Sequence, residues 1–203
     1  AEPEPQGFLI LGAHPFARAV GQYLQDQDYS VLLADTNWAN VSAARAEGLE
    51  AYYGSLLSDQ ADEQARLSGL GKLLALTSNE EANALTALKY SRVFGSGNVF
   101  QLSPHHQTGD RGNLGTAVGG RKLFMGDATF YDLRRLFEAG ATIHETALTS
   151  QFNFSEFRSM HGDSFVPLFV KNDDDIRPLT QDSALPDAGD VLVSLRLGSN
   201  GQS

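Results

Sequence analysis

The chain has 203 residues, a formal net charge of −10 and no cysteine. Without cysteine there is neither a disulfide framework nor a thiolate nucleophile, and the usual thiolate zinc sites are excluded. An acidic chain with no run of Lys and Arg lacks the clustered cations that a phosphate backbone needs, so DNA and RNA are not expected partners.

At 41 % hydrophobic residues the chain can bury a core, in one domain or in a medium domain with a smaller companion. No apolar run approaches the ~20 residues that cross a bilayer, and the opening AEPEPQ has neither the basic nor the apolar part of a signal peptide. Residue 1 is not Met, so the chain is expected to be a piece of a longer protein. Residues 7–11 read as a buried strand, 16–25 as a helix, 30–34 as a strand, 38–47 as a helix and 50–53 as a strand. Strand 72–76, helix 80–94 and strand 99–102 follow. This alternation predicts an α/β fold, a Rossmann-like doubly wound parallel sheet with its ligand crevice at the carboxyl ends of the strands. The predicted domain spans 7–104. Residues 103–120 (SPHHQTGDRGNLGTAVGG) are glycine-rich and aperiodic, and so long a loop is uncommon inside one domain; a linker is placed at 105–120. A small α+β lobe is expected over 121–198, with a helix at 129–139 and strands at 141–148, 165–170 and 191–197.

The stretch FLILGAHPFARAV, residues 8–20, has the order strand, glycine turn, helix that opens a dinucleotide-binding unit. Gly12 supplies the tight bend, Pro15 suits the first helical turn, and Ala17 is small where helix must pack on strand. His14 stands where a second glycine would let the backbone approach a pyrophosphate. Its imidazole N–H could donate to a phosphate, the ligand could be a mononucleotide seated differently, or the ring could sit in the solvent-facing loop of an empty site. Asp35 closes the second strand at about the 20-residue spacing from Gly12 at which a carboxylate takes the hydroxyls of an adenosine ribose. A carboxylate there repels a 2′-phosphate, which disfavours NADP. The alternative is that Asp35 caps the next helix, as Thr36 and Asn37 also could. Gly54 and Ser55, Thr77 and Ser78, and Ser103 end the other strands and line the same rim.

The segments LILGAHPFA, VLLADTNWANVSAARAEGLEAYYGS, GKLLALTSNEEANALTALKY and VFQLSP resemble the RCK-type (TrkA-N) nucleotide-binding domain. More closely they resemble the cytosolic tail of bacterial cation:proton antiporters of the sodium/hydrogen exchanger type, over residues 7–104. The resemblance implies a non-catalytic regulatory module on the cytoplasmic face of the inner membrane, joined to a membrane transport domain of the same longer chain. It implies an adenine nucleotide as ligand (AMP, ADP or NAD(H)) and a homodimer that passes the bound state on. Gly12 matches the family's first glycine, Asp35 its ribose-binding acid and Thr77 the polar position after the fourth strand. His14 replaces the second glycine, and Ser55 stands where many relatives have Asp after Gly54. The expected site is therefore Gly12, Ala13, His14, Pro15, Asp35, Thr36, Asn37, Gly54, Ser55, Thr77 and Ser78. Within the lobe only DAGDVLVSL, residues 187–195, resembles the family's C-terminal half.

No metal site is expected. His105 and His106 are adjacent, so their side chains diverge, and His144 and Glu145 face opposite sides of a strand. NDDD, residues 172–175, lacks calcium-loop spacing and reads as an acidic hairpin turn. Trp38 could cover an adenine, but a lone Trp on such a helix is read as packing. An NAD-dependent oxidoreductase would need a proton donor and acceptor, and there is no Tyr-x-x-x-Lys pair and no Gly-x-Ser-x-Gly elbow. The regulatory domain is thus placed first, a nucleotide-free dimerisation scaffold second and the enzyme last.

Overall fold

A computed structural model describes residues 6–67, 69–104, 119–126, 128–173 and 175–198. His105, His106 and the linker placed at 105–120, apart from its last two residues, lie outside the described residues. The chain divides into two compact units, Ala1–Arg121 and Lys122–Ser203.

The first unit alternates strands β1 (Gly7–Leu11), β2 (Val31–Asp35), β3 (Glu50–Tyr53), β4 (Leu70–Ala75) and β5 (Val99–Gln101) with helices α1 (Pro15–Asp26), α2 (Trp38–Ala46), α3 (Asp59–Leu67) and α4 (Glu80–Phe94). A two-residue strand β6 (Arg121–Lys122) extends the sheet, whose order is β3-β2-β1-β4-β5-β6. The pairs among β1 to β5 are parallel. Helices cover both faces, so β1 and β2 are apolar without alternation, as a parallel sheet requires. Leu32, Leu9, Leu73 and Val99 stand opposite one another on successive strands and pack with Ala61 of α3 and with Ala87 and Tyr90 of α4. On the other face α1 lies so close that a Cβ on Gly21 would come within 3.1 Å of Leu33. The doubly wound sheet expected from the alternation is the one observed.

Helix α3 was not legible in the sequence. Ala61 of α3 is buried, and polar ties join Asp62 of the helix and the turn before it to α4. Lys89 of α4 bonds the carbonyls of Leu56 at 2.7 Å and Ser58 at 3.1 Å and pairs with Asp62 at 2.8 Å, and the Tyr90 hydroxyl donates to Asp62 at 3.2 Å.

The second unit holds helices α5 (Phe130–Glu138) and α6 (Phe154–His161) and strands β7 (Thr142–Ala147), β8 (Phe165–Asn172), β9 (Asp175–Pro178) and β10 (Val191–Arg196). Its sheet is antiparallel, in the order β7-β10-β8-β9, so the expected α+β lobe is present. Thr129 and Asp132 form a reciprocal cap at the start of α5. Leu148, Phe154, Phe157, Val170, Leu179 and Leu192 form its core. Asn172 and Asp175 face each other across the β8–β9 hairpin, the acidic turn expected there. Helix α6 and strand β9 were not anticipated, because eight and four residues are too few for periodicity to speak.

Candidate functional site

In the order β3-β2-β1-β4-β5 the chain turns opposite ways from β1 and from β4, which makes the gap beyond their carboxyl ends the switch point of the sheet. The Gly12 N–H donates to the Ala34 carbonyl at 2.7 Å, and the Leu76 N–H donates to the Leu11 carbonyl at 2.9 Å. Gly12 has φ +114°, a conformation that favours glycine, and a Cβ there would sit 3.3 Å from the His14 ring.

The next peptide is clamped from both sides. Ala13 N–H donates to Asp35 Oδ2 at 2.9 Å, and its carbonyl accepts from Arg18 Nη1 at 2.8 Å, with Arg18 Nε paired to Glu47 at 3.0 Å. Asp35 also takes the Asn37 N–H on Oδ1 at 2.9 Å and Asn40 Nδ2 on Oδ2 at 3.0 Å. Three donors occupy a carboxylate that can accept about four. Asp35 does not cap α2. Asn37 does, its Oδ1 accepting from Ala39 N at 2.9 Å and Asn40 N at 3.3 Å.

His14 caps α1. Its Nδ1 accepts from the Ala17 N–H at 3.3 Å, and its Nε2 donates to the Leu76 carbonyl at 2.6 Å. Those two bonds require the neutral ring with its proton on Nε2. Burial is the main reason its pKa lies below the ordinary 6.5, and Arg18 adds to it; the bond to Leu76 and the charge of Asp35 oppose them. The ring therefore spans the gap between the β1 turn and the end of β4, in place of the solvent-facing side chain considered from the sequence.

A pH test follows from that burial. Between the unfolded value near 6.5 and the lower folded value, the unfolded chain binds more protons, so His14 makes the fold weaken as the solution turns acid. His144 and His161 have lowered pKa values as well, chiefly from burial, and act in the same sense. Urea unfolding of the native chain and of His14→Asn, at about pH 7.5 and about pH 5.5, isolates the His14 share. The native chain should lose more stability on acidification than the variant, and equal losses would refute the half-buried neutral ring.

The remaining expected residues have mostly local partners. Gly54 N–H donates to the Asp35 carbonyl at 3.0 Å, which ties the β3 turn to the end of β2. Ser55 Oγ accepts from Leu57 N at 3.1 Å, ordinary turn chemistry. The Thr77 hydroxyl donates to Asn83 Oδ1 at 2.7 Å, and Asn83 Nδ2 returns a bond to the Thr77 carbonyl at 3.0 Å. Pro15, Thr36 and Ser78 are exposed and Ser103 is buried. Trp38 does not act as core packing: it is 54 % exposed and meets Tyr53 edge to face at 5.3 Å, with the Arg45 guanidinium 5.6 Å from its ring.

Sequence reasoning missed Arg18, Asn40 and Asn83. Asn83, only 2 % exposed inside a helix, is the one a sequence could flag, since asparagine is a poor interior helix former unless its amide is used. Among the described residues no group of three or more His, Asp or Glu is placed to hold a metal, and no helix is long and apolar enough to cross a membrane.

A glycine turn, a helix N-terminus and an acidic strand end meeting at a switch point define a Rossmann-like unit. Residues 8–100 match the family model of the TrkA-N domain, slightly under half of the 203 residues. No curated protein matches the chain. Among solved structures, the chain is similar to the TrkA-N domain of the inner membrane protein ybaL from Escherichia coli, at 15 % identity over 52 % of this chain and 77 % of that one, with a TM-score of 0.43. It is similar to the GsuK RCK domain, at 13 % identity over 95 % of this chain and 44 % of that one, TM-score 0.47. The GsuK channel bound to NAD gives 15 % identity over 96 % and 37 %, TM-score 0.48. The chain thus spans less than half the length of either GsuK structure.

Proposed function

We propose that the chain is a regulatory nucleotide-binding domain of an ion-transport protein, and more specifically the cytoplasmic part of a cation:proton antiporter. In this reading an adenosine nucleotide, AMP, ADP or NAD(H), binds at the strand ends and two copies of the chain pass its presence to a membrane domain. The observation that carries it is the Asp35 carboxylate, which ends β2 and lies 2.9 Å from the Ala13 N–H of the glycine turn, inside the segment matched to TrkA-N. A ribose would take the acceptor capacity left on Asp35 and could displace the Asn40 amide from it. In this reading the function is sensing and not catalysis; sensing needs only unequal affinity of two states for the ligand. Gly12, Ala13, His14, Pro15, Thr36, Asn37, Gly54, Ser55, Thr77 and Ser78 form the proposed rim around Asp35.

Calorimetry of the chain with AMP, ADP and NAD(H) tests this reading. Dissociation constants between about 1 μM and 1 mM are expected, or roughly 4 to 8 kcal/mol, together with a dimer in sedimentation and no hydride transfer. A second reading, a nucleotide-free dimerisation scaffold, has its own support: His14 and Asp35 are already bonded to the protein's own backbone at 2.6 and 2.9 Å. Absence of heat with every nucleotide would favour it.

A further inference from the structure

We infer that His14 is a specificity-determining residue that, among the nucleotides proposed above, favours a ligand ending at a single phosphate over a dinucleotide. The inference rests on the nucleotide reading above and goes on to say which half of the crevice is open. A dinucleotide laid across a switch point must carry its pyrophosphate over the first turn, against the N-terminus of the first helix. In this chain the imidazole occupies both places. Nδ1 has taken the Ala17 N–H, one of the helix donors an anion would use, and Nε2 has crossed to the Leu76 carbonyl at the end of β4. The ring also lies 3.3 Å from where a Cβ on Gly12 would be, so it covers the surface the backbone would otherwise offer to a phosphate. As a neutral ring it supplies no charge that would draw a diphosphate in. The β1–β2 half, where Asp35 holds the Ala13 N–H, is not crossed by either of the ring's two hydrogen bonds. The open half is the one we assign to a nucleoside with one phosphate; the closed half is where a second phosphate and a second nucleoside would have to go.

Removing the ring should open the second half, which the ratio of the two affinities reads. His14→Gly suits the test because glycine is tolerated at a helix cap, and His14→Asn keeps a capping side chain too short to reach Leu76. Calorimetry with AMP and with NAD is expected to give at least tenfold weaker binding of NAD by the native chain. In both variants the ratio of NAD affinity to AMP affinity should rise at least tenfold, whatever the change in AMP affinity itself. Native binding of NAD as tight as that of AMP would overturn the inference, as would an NAD to AMP ratio unchanged in both variants. If neither ligand binds the native chain or either variant, the nucleotide reading itself falls, and this inference with it.

Discussion

Asp35→Ala is expected to weaken AMP binding about 10- to 100-fold, the loss of a charge-assisted hydrogen bond of about 1.5 to 3 kcal/mol. The same change should destabilise the folded chain. The carboxylate holds the Ala13 N–H, the Asn37 N–H and the Asn40 amide together, and their release should lower the unfolding free energy by about 2 to 3 kcal/mol. Asp35→Asn leaves one neutral oxygen to accept, so it should recover part of the stability and little of the affinity. Calorimetry beside urea unfolding separates the two effects. An Asp35→Ala chain that binds AMP as the native chain does would remove the carboxylate from the site.

Leu9→Ala is expected to have the larger effect on stability, about 2 to 5 kcal/mol, and none on nucleotide affinity per folded molecule. Leu9 is fully buried in the middle strand, opposite Leu32 on one side and Leu73 on the other. Truncation leaves a cavity that rigid strands on both flanks cannot collapse into. Denaturant midpoints measure the loss, and calorimetry well below the midpoint measures the affinity. If binding weakened in proportion to stability, the rim would not be separable from the core beneath it.

The contrast between these two residues explains what the sequence could reveal. A strand buried on both faces must be apolar throughout, so β1, β2 and β4 were readable from FLIL, VLLAD and KLLAL. The position of Asp35 at the end of β2 was readable as well, because the apolar run stops there. The partners of Asp35 were not. Asn40 reaches it from within α2, and the far end of His14 meets a carbonyl 62 residues away, contacts that only the closed sheet creates. His14 was noticed as a departure from glycine, but whether its ring turned outward or across the gap depended on Leu76, a residue with nothing polar in its side chain to draw attention. Trp38 was misread for a related reason: a helix pattern says which face is apolar, not whether a neighbouring strand covers its first turn.

The placement of Trp38 has a practical consequence. It is the chain's only tryptophan, it stands at the start of α2 just beyond Asp35, and Tyr53 and Arg45 steady its indole. The chain's tryptophan emission therefore comes from beside Asp35 alone, while the second unit, which has tyrosine and phenylalanine but no tryptophan, adds nothing to that signal. A nucleobase arriving beside the indole would alter its emission without any label, and a stopped-flow trace would time that arrival separately from whatever the rest of the chain does afterwards.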